Sequence, residues 1–302
     1  MKPDTRGTAA IIAIATATLA FAAPAMAQDV ASEPSAEIAP PAPAGDIDMA
    51  NSVFDDNWLS VGVGVGIGPS YDGSNDYVIF PAPLVQGKLG GVGISPRPAG
   101  LALDFIGDSA DGPNFALGPS VRLRNDRADQ IGDDVVEAAG ELDRAFEVGV
   151  ATGISFPKVL NPYDSLSFNM DARWDVAGAH DGMVMEPGVT YFTPLSRGIA
   201  ASLSVSAEFV DDDFADYYYS VSPEQSAASG LPLYQADGGL NSIGTNLLLA
   251  FDLDGDVTNG GFAAVLVGGY SRLVGDAADT PYTRIRGSAD QFFGAVGVGY
   301  TF

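Results

Sequence analysis

Apolar residues alternate with small or polar ones along most of this chain. Leu59, Val61, Val63, Val65 and Ile67 interleave with Ser60, Gly62, Gly64, Gly66 and Gly68. Leu166, Phe168, Met170, Trp174 and Val176 interleave with Ser167, Asn169, Asp171, Arg173 and Asp175. Ile199 to Phe209, Ile243 to Phe251 and Val296 to Phe302 repeat the pattern. A helix repeats every 3.6 residues and a strand every two, so these runs predict strands with one greasy face. The alternation places strands at 57–68, 76–87, 91–107, 114–124, 144–155, 163–177, 183–193, 197–210, 215–221, 239–253, 259–273 and 290–302. That makes twelve, with ten or fourteen as the alternatives, since a single-chain barrel with both termini on one side needs an even number. The strand at 91–107 carries Pro96 and Pro98, which remove ladder donors and would split or bend it.

The polar faces decide the surroundings. A soluble sandwich would cover its outer face with Lys and Glu, but here that face is mostly Gly, Ser and Asn, and Lys88 and Lys158 are the only lysines after Lys2. Small polar residues facing a narrow lumen and apolar ones facing lipid are what a transmembrane antiparallel β-barrel requires, because every backbone group is then satisfied by a neighbouring strand. The fold expected is therefore all-β, a barrel over residues 57–302.

Residues 1–27 read as a signal peptide, with Lys2 and Arg6, an apolar run from Ala9 to Ala23, and Ala25-Met26-Ala27 as the cleavage pattern. Residues 28–56, with Pro34, Pro40, Pro41 and Pro43, lack periodicity and are expected to form a disordered periplasmic tail. The outer membrane is the expected location, with its lipid as solvent, and the terminal Phe302 resembles the signal read by the barrel assembly machinery. The formal net charge is −25, and about −26 once Lys2, Asp4 and Arg6 leave with the signal, which excludes nucleic acid as a partner. The chain has no cysteine, hence no disulfide and no acylation site.

Catalytic and metal chemistry find little to use. The one histidine, His180, sits in Gly178-Ala179-His180-Asp181-Gly182, a turn sequence, so a Ser-His nucleophile is disfavoured and no cofactor or metal site is expected. Asp252-Leu253-Asp254-Gly255-Asp256 spaces oxygens like part of a calcium loop but lacks the later Glu and falls where a hairpin turn belongs. Asp211-Asp212-Asp213 reads as a solvated turn. More telling is that parity puts Arg122, Arg124 and Arg173 in the lumen with Glu147, Asp171, Asp175, Glu186 and Glu208. Ions away from bulk water pair, so these residues are expected to form a structural network filling the bore, with a selective channel as the alternative.

Residues 66–83, with Gly66-Ile67-Gly68-Pro69-Ser70-Tyr71 and Phe80-Pro81-Ala82-Pro83, and the later stretches Tyr217-Tyr218-Tyr219-Ser220-Val221-Ser222-Pro223, Gly230-Leu231-Pro232-Leu233-Tyr234 and Leu273-Val274-Gly275-Asp276, resemble the MltA-interacting protein (MipA)/OmpV family of Gram-negative outer-membrane proteins. The resemblance implies a non-enzymatic scaffold that links a murein lytic transglycosylase and a murein synthase to the outer membrane. A narrow channel or small-molecule-binding protein is the alternative. On a count of twelve strands, the segments 69–75, 222–238 and 274–289 lie outside and 126–143 lies in the periplasm. There Ile131, Val135, Ala138, Ala139 and Leu142 recur at helical spacing, making Val135 and Leu142 the candidate partner contact.

Overall fold

The computed structural model describes residues 52–109 and 112–302. The signal peptide and most of the expected tail lie outside the described residues. Strand segments run as β1 (Trp58–Pro69), β2 (Tyr77–Pro81), β3 (Leu84–Leu89), β4 (Val92–Arg97), β5 (Gly100–Asp104), β6 (Asn114–Arg124), β7 (Ala145–Pro157), β8 (Ser165–Asp175), β9 (Met183–Ser196), β10 (Ile199–Val210), β11 (Gly239–Asp252), β12 (Gly261–Leu273) and β13 (Asp290–Thr301). Apart from β2 and β3, each pairs antiparallel with its neighbours in sequence, and β13 returns to β1 in a register running from Ser60 opposite Thr301 to Ile67 opposite Gly294. Segments β2 and β3 both lie along β1, one opposite Val65–Pro69 and the other opposite Trp58–Gly62, so they are two parts of one stave. The barrel is closed and has twelve staves.

The apolar residues of each stave face outward: Val63, Val65, Val205, Leu247 and Val296 are all exposed. Rings gather at both rims of this band. Phe262, Tyr300 and Phe302 stack edge to face near the chain end, and Tyr270 and Phe292 pack together at the opposite rim. Such girdles belong where an apolar band meets headgroups.

Three expectations are corrected, and the alternatives left for one segment are decided. The segment 215–221 is not a strand but most of helix α2 (Asp212–Tyr219): Asp211 caps it by accepting from Phe214 N at 3.1 Å, and Phe214 with Tyr218 and Ala215 with Tyr219 are buried at i, i+4 spacing. The segment 91–107, expected to be split or bent by its prolines, is split into two strands, β4 and β5, turned at Pro98-Ala99, with Ala99 in the left-handed region at φ 48°. The loss and the gain cancel in the total but change the sides between them. Residues 126–143 therefore sit at the same end as 69–75, 222–238 and 274–289: Gly132 N donates to Ser70 Oγ at 3.3 Å, and Arg286 pairs with Asp133 at 2.6 Å. Finally, residues 52–56 belong to the barrel mouth. Ser52 and Asp55 form a capping box around a 3-10 turn (Val53–Asp55), and Val53 N donates to Thr258 O at 2.8 Å.

At the loop end, opposite the chain end, α1 (Asp134–Ala138), α2, α3 (Pro223–Ser229), α4 (Gly275–Asp279) and α5 (Pro281–Arg284) make a plug with two cores. One holds Phe214, Tyr218, Tyr219, Leu273 and Ala277; the other holds Tyr71, Val136, Val221, Leu231 and Tyr282.

Candidate functional site

Directly beneath the plug, the lumen is crossed by charge. Arg124, near the end of β6, points inward and donates through Nε to Glu147 Oε1 at 2.7 Å and through Nη2 to Glu208 Oε2 at 2.9 Å. Arg173 of β8 reaches the other Glu147 oxygen at 3.1 Å and also pairs with Glu186. Arg122 bridges Glu186 and Glu208 at 3.2 and 3.3 Å. Arg97, at the tip of the β4–β5 hairpin, crosses to Asp171 at 2.7 Å. Glu147 is fully buried and Arg173 is 1% exposed, so each charge relies on these partners in place of water. Asn241 adds a hydrogen bond to Glu208 at 2.7 Å.

The plug is fastened to this layer. The Phe214 ring of α2 lies 4.7 Å from the Arg124 guanidinium. His180 accepts from Gly182 N at Nδ1 (3.0 Å), so in the neutral ring the proton sits on Nε2, which faces Glu147 Oε1 at 3.5 Å. Higher up, Arg127 is 1% exposed without an ion pair among the described residues. It donates to Tyr218 O at 3.0 Å and lies 3.9 Å from the Tyr282 ring centroid.

Of the residues expected in the network, the structure brings together Arg122, Arg124, Glu147, Asp171, Arg173 and Glu208. Asp175 does a different job: its carboxylate accepts backbone N–H groups of Ala177, Ala179 and His180 and so folds the β8–β9 turn. Val135 packs against the plug core around Val136, and Leu142 against the one around Phe214, so the apolar face of α1 is turned into the barrel mouth. Phe302 lies at the rim, 65% exposed, with its N–H donating to Leu59 O at 2.9 Å. The acidic runs are turns and caps: Asp252 accepts from three successive backbone N–H groups, Asp254 to Asp256, and Asp256 pairs with Arg197 at 2.6 Å. Among the described residues, no group of three or more His, Cys, Asp or Glu is placed to hold a metal ion.

Two loop-end carboxyls depart from their ordinary range. Burial, and then the charge of Asp72, pushes Asp126 up to about 7 despite a backbone N–H from Asp72 at 2.7 Å. Burial acts upward on Asp133 as well, but hydrogen bonds from Arg286, Val136 N and Val135 N outweigh it and hold this group below the usual carboxylate range.

Below the charge layer the lumen is open space. A cavity of about 610 Å³ lies along the polar wall formed by Asn169, Ser167, Ser155 and Thr152. A second, of about 520 Å³, is lined largely by apolar groups, including Phe192, Pro194, Ala200, Leu248 and Ala250, and reaches the chain-end rim at Phe54 and Thr258. Both border Arg97, Thr190 and Ser204.

A sequence profile described as MltA-interacting protein MipA matches residues 61–302. The chain belongs to the MipA family. No curated protein matches it. Among solved structures, this MipA-family barrel is similar to an outer membrane channel, COG4313, of Pseudomonas putida F1, at 12% identity over 82% of this chain and 96% of that one, with a TM-score of 0.44. It is also similar to the outer membrane protein OprD of Pseudomonas aeruginosa (12% identity, 82% and 66% covered, TM-score 0.36). The toluene transporter TodX of Pseudomonas putida is a third (8%, 85% and 93%, 0.34). The MipA-family chain is thus a closed antiparallel β-barrel of twelve staves.

Proposed function

We propose that this protein is a plugged outer-membrane barrel that holds a small molecule in a lumen open toward the periplasm, with both termini on the periplasmic side. The observation that carries this is the asymmetry of the bore. One end is closed by a layer of buried ion pairs and five short helices, while space of about 610 and 520 Å³ lies beyond it and reaches the other rim. Volumes of about 300–1,000 Å³ are those of small-molecule sites. A free-running pore would need the charge layer displaced. In planar bilayers the unaltered protein is expected to stay near baseline conductance, and large ion-selective steps would overturn the reading in favour of a channel.

A second reading is the periplasmic scaffold, favoured by the family's description as MltA-interacting. With the termini periplasmic, α1 faces the cell exterior, so Val135 and Leu142 do not serve that contact. The surface left for it is the set of chain-end turns, including 158–164 and 253–260. Capture of a murein lytic transglycosylase by the purified barrel, lost when the Asp252–Thr258 turn is replaced by Gly-Ser, would support it; binding unaffected by that change would remove this surface.

A further inference from the structure

The wall of the barrel is not paired all the way round. β3 bonds to β4 at Leu89–Val92, Lys88–Gly93 and Gly87–Ile94, and the ladder stops there. Above it, β2 pairs with β1 and, among the described residues, with no other strand. The facing lip is Ser95–Arg97, three consecutive residues that all border the lumenal cavities. In hydrocarbon, an open edge leaves backbone donors and acceptors without partners, at several kcal/mol apiece. The composition of these lips answers that cost: Pro81 and Pro83 stand on one and Pro96 on the other, each lacking an N–H where the two lips make no ladder bond.

Behind the seam the lumen is apolar. The register places Phe80 opposite Gly66 and Leu84 opposite Gly62 on the inward face. The Phe80 ring lies over Gly66 closely enough that a Cβ there would come within 2.4 Å of it, so glycine makes room for the ring. A small cavity of about 140 Å³ bounded by Ala82, Leu84, Leu248, Val265, Val267 and Ala295 follows. Leu84, Leu248 and Val265 also line the cavity of about 520 Å³. The charge layer closes the axial path to the loop end, so this strip is reached from the periplasmic mouth or through the wall.

We propose that the seam between β2 and the β4–β5 hairpin is a lateral opening, through which a single hydrocarbon chain dissolved in the bilayer enters the apolar strip, with Phe80 as its inner leaf. The proposal rests on the small-molecule reading and adds the route and the ligand's chemistry. The chain lacks cysteine, so a single label can be placed in the lumen at Ala250→Cys and, as a lipid-facing control, at Val63→Cys. The full-length protein, carrying bimane at one of these sites, is reconstituted in phosphatidylcholine vesicles and mixed with 16-doxyl-stearic acid. Quenching at position 250 is expected to saturate. Ala82→Trp, which crowds the small cavity immediately behind the seam, is expected to slow that quenching at least tenfold, and Phe80→Ala to speed it, while quenching at position 63 stays unchanged. Saturable quenching at the same rate in all three backgrounds means entry from the periplasmic mouth and overturns the lateral route while leaving lumenal binding standing. No quenching at position 250 overturns both. Repeating the assay with doxyl-phosphatidylcholine as the sole quencher separates a free chain from the chain of a resident lipid: quenching there assigns the strip to lipid, and its absence with saturation by the fatty acid assigns it to a free amphiphile. Heat-modifiable mobility checks that each variant is folded.

Discussion

If the buried charge layer works as one unit, Arg124 and Glu147 will not behave as independent contributors. Arg124→Met keeps the aliphatic stem and the packing beneath Phe214 but withdraws the guanidinium from Glu147 at 2.7 Å and Glu208 at 2.9 Å. Removing one partner of a buried pair costs about 3–5 kcal/mol, because the charge left behind has no water to turn to. Glu208 keeps Arg122 and Glu147 keeps Arg173, so about 4 kcal/mol is expected. Glu147→Gln retains an acceptor for Arg173 and should cost about 3 kcal/mol. In the double variant the residual charges no longer face an absent partner at this contact, so the total should come to about 4–5 kcal/mol, a coupling of about 2–3 kcal/mol. Reversible urea unfolding from lipid vesicles, followed through the two tryptophans Trp58 and Trp174, measures all four states. Additivity within about 0.5 kcal/mol would refute the idea of a shared layer.

Further outcomes are expected. A cysteine at the exposed Asp134 should be labelled on intact cells by an impermeant reagent, and one at the exposed Asp254 should not; the reverse pattern inverts the proposed orientation. With Asp126 pushed up to about 7, the folded chain keeps a proton that the unfolded chain releases at about 4, so stability should fall as pH rises between these values and level off above. Asp126→Asn should flatten that slope in urea midpoints taken from pH 5 to 8, and an unchanged slope would point to another group. Arg286→Ala removes the bidentate partner of the α1 cap and should make the 126–143 loop more protease-sensitive on intact cells while the barrel remains heat-modifiable. Deleting Phe302 should lower the assembled fraction on heat-modifiability gels more than removing residues 30–50, and equal defects would contradict a role for the terminal ring.

The staves were legible because each side chain meets one of two solvents, and that choice is written locally with period two. From Asn114 to Val210 the strands lie within three residues of the expected bounds. The sidedness of the loops was not legible in the same way, since it depends on a count along the whole chain. Counting 91–107 as one strand although its prolines could split it, and Tyr217-Tyr218-Tyr219 as part of another, left the total at twelve but reversed every loop from Phe105 to Gly198. Consecutive tyrosines carry no period; the helix there is announced by Asp211 as cap and the Phe214–Tyr218 spacing. Parity alone placed Arg122, Arg124 and Arg173 in the lumen with Glu147 and Glu208. It missed Arg97, whose strand is broken by prolines, and Arg127, which a loop carries into the plug. It overplaced Asp175, whose inward carboxylate is claimed by the N–H groups of its own turn.

The pairing of β1 with β13 sets a limit on when this protein can exist as a folded object. Ser60 meets Thr301 and Val65 meets Val296, so the contact that completes the cylinder joins residues separated by most of the chain. Local hairpins can form as soon as their two strands are available, but this one waits for the final segment to be synthesised. Until then the chain carries two bare edges at its extremes, one of them the glycine-rich β1. Such long-range pairing is slow and leaves a precursor open to aggregation. Shielding both edges until the last strand arrives is therefore a demand made by the topology itself.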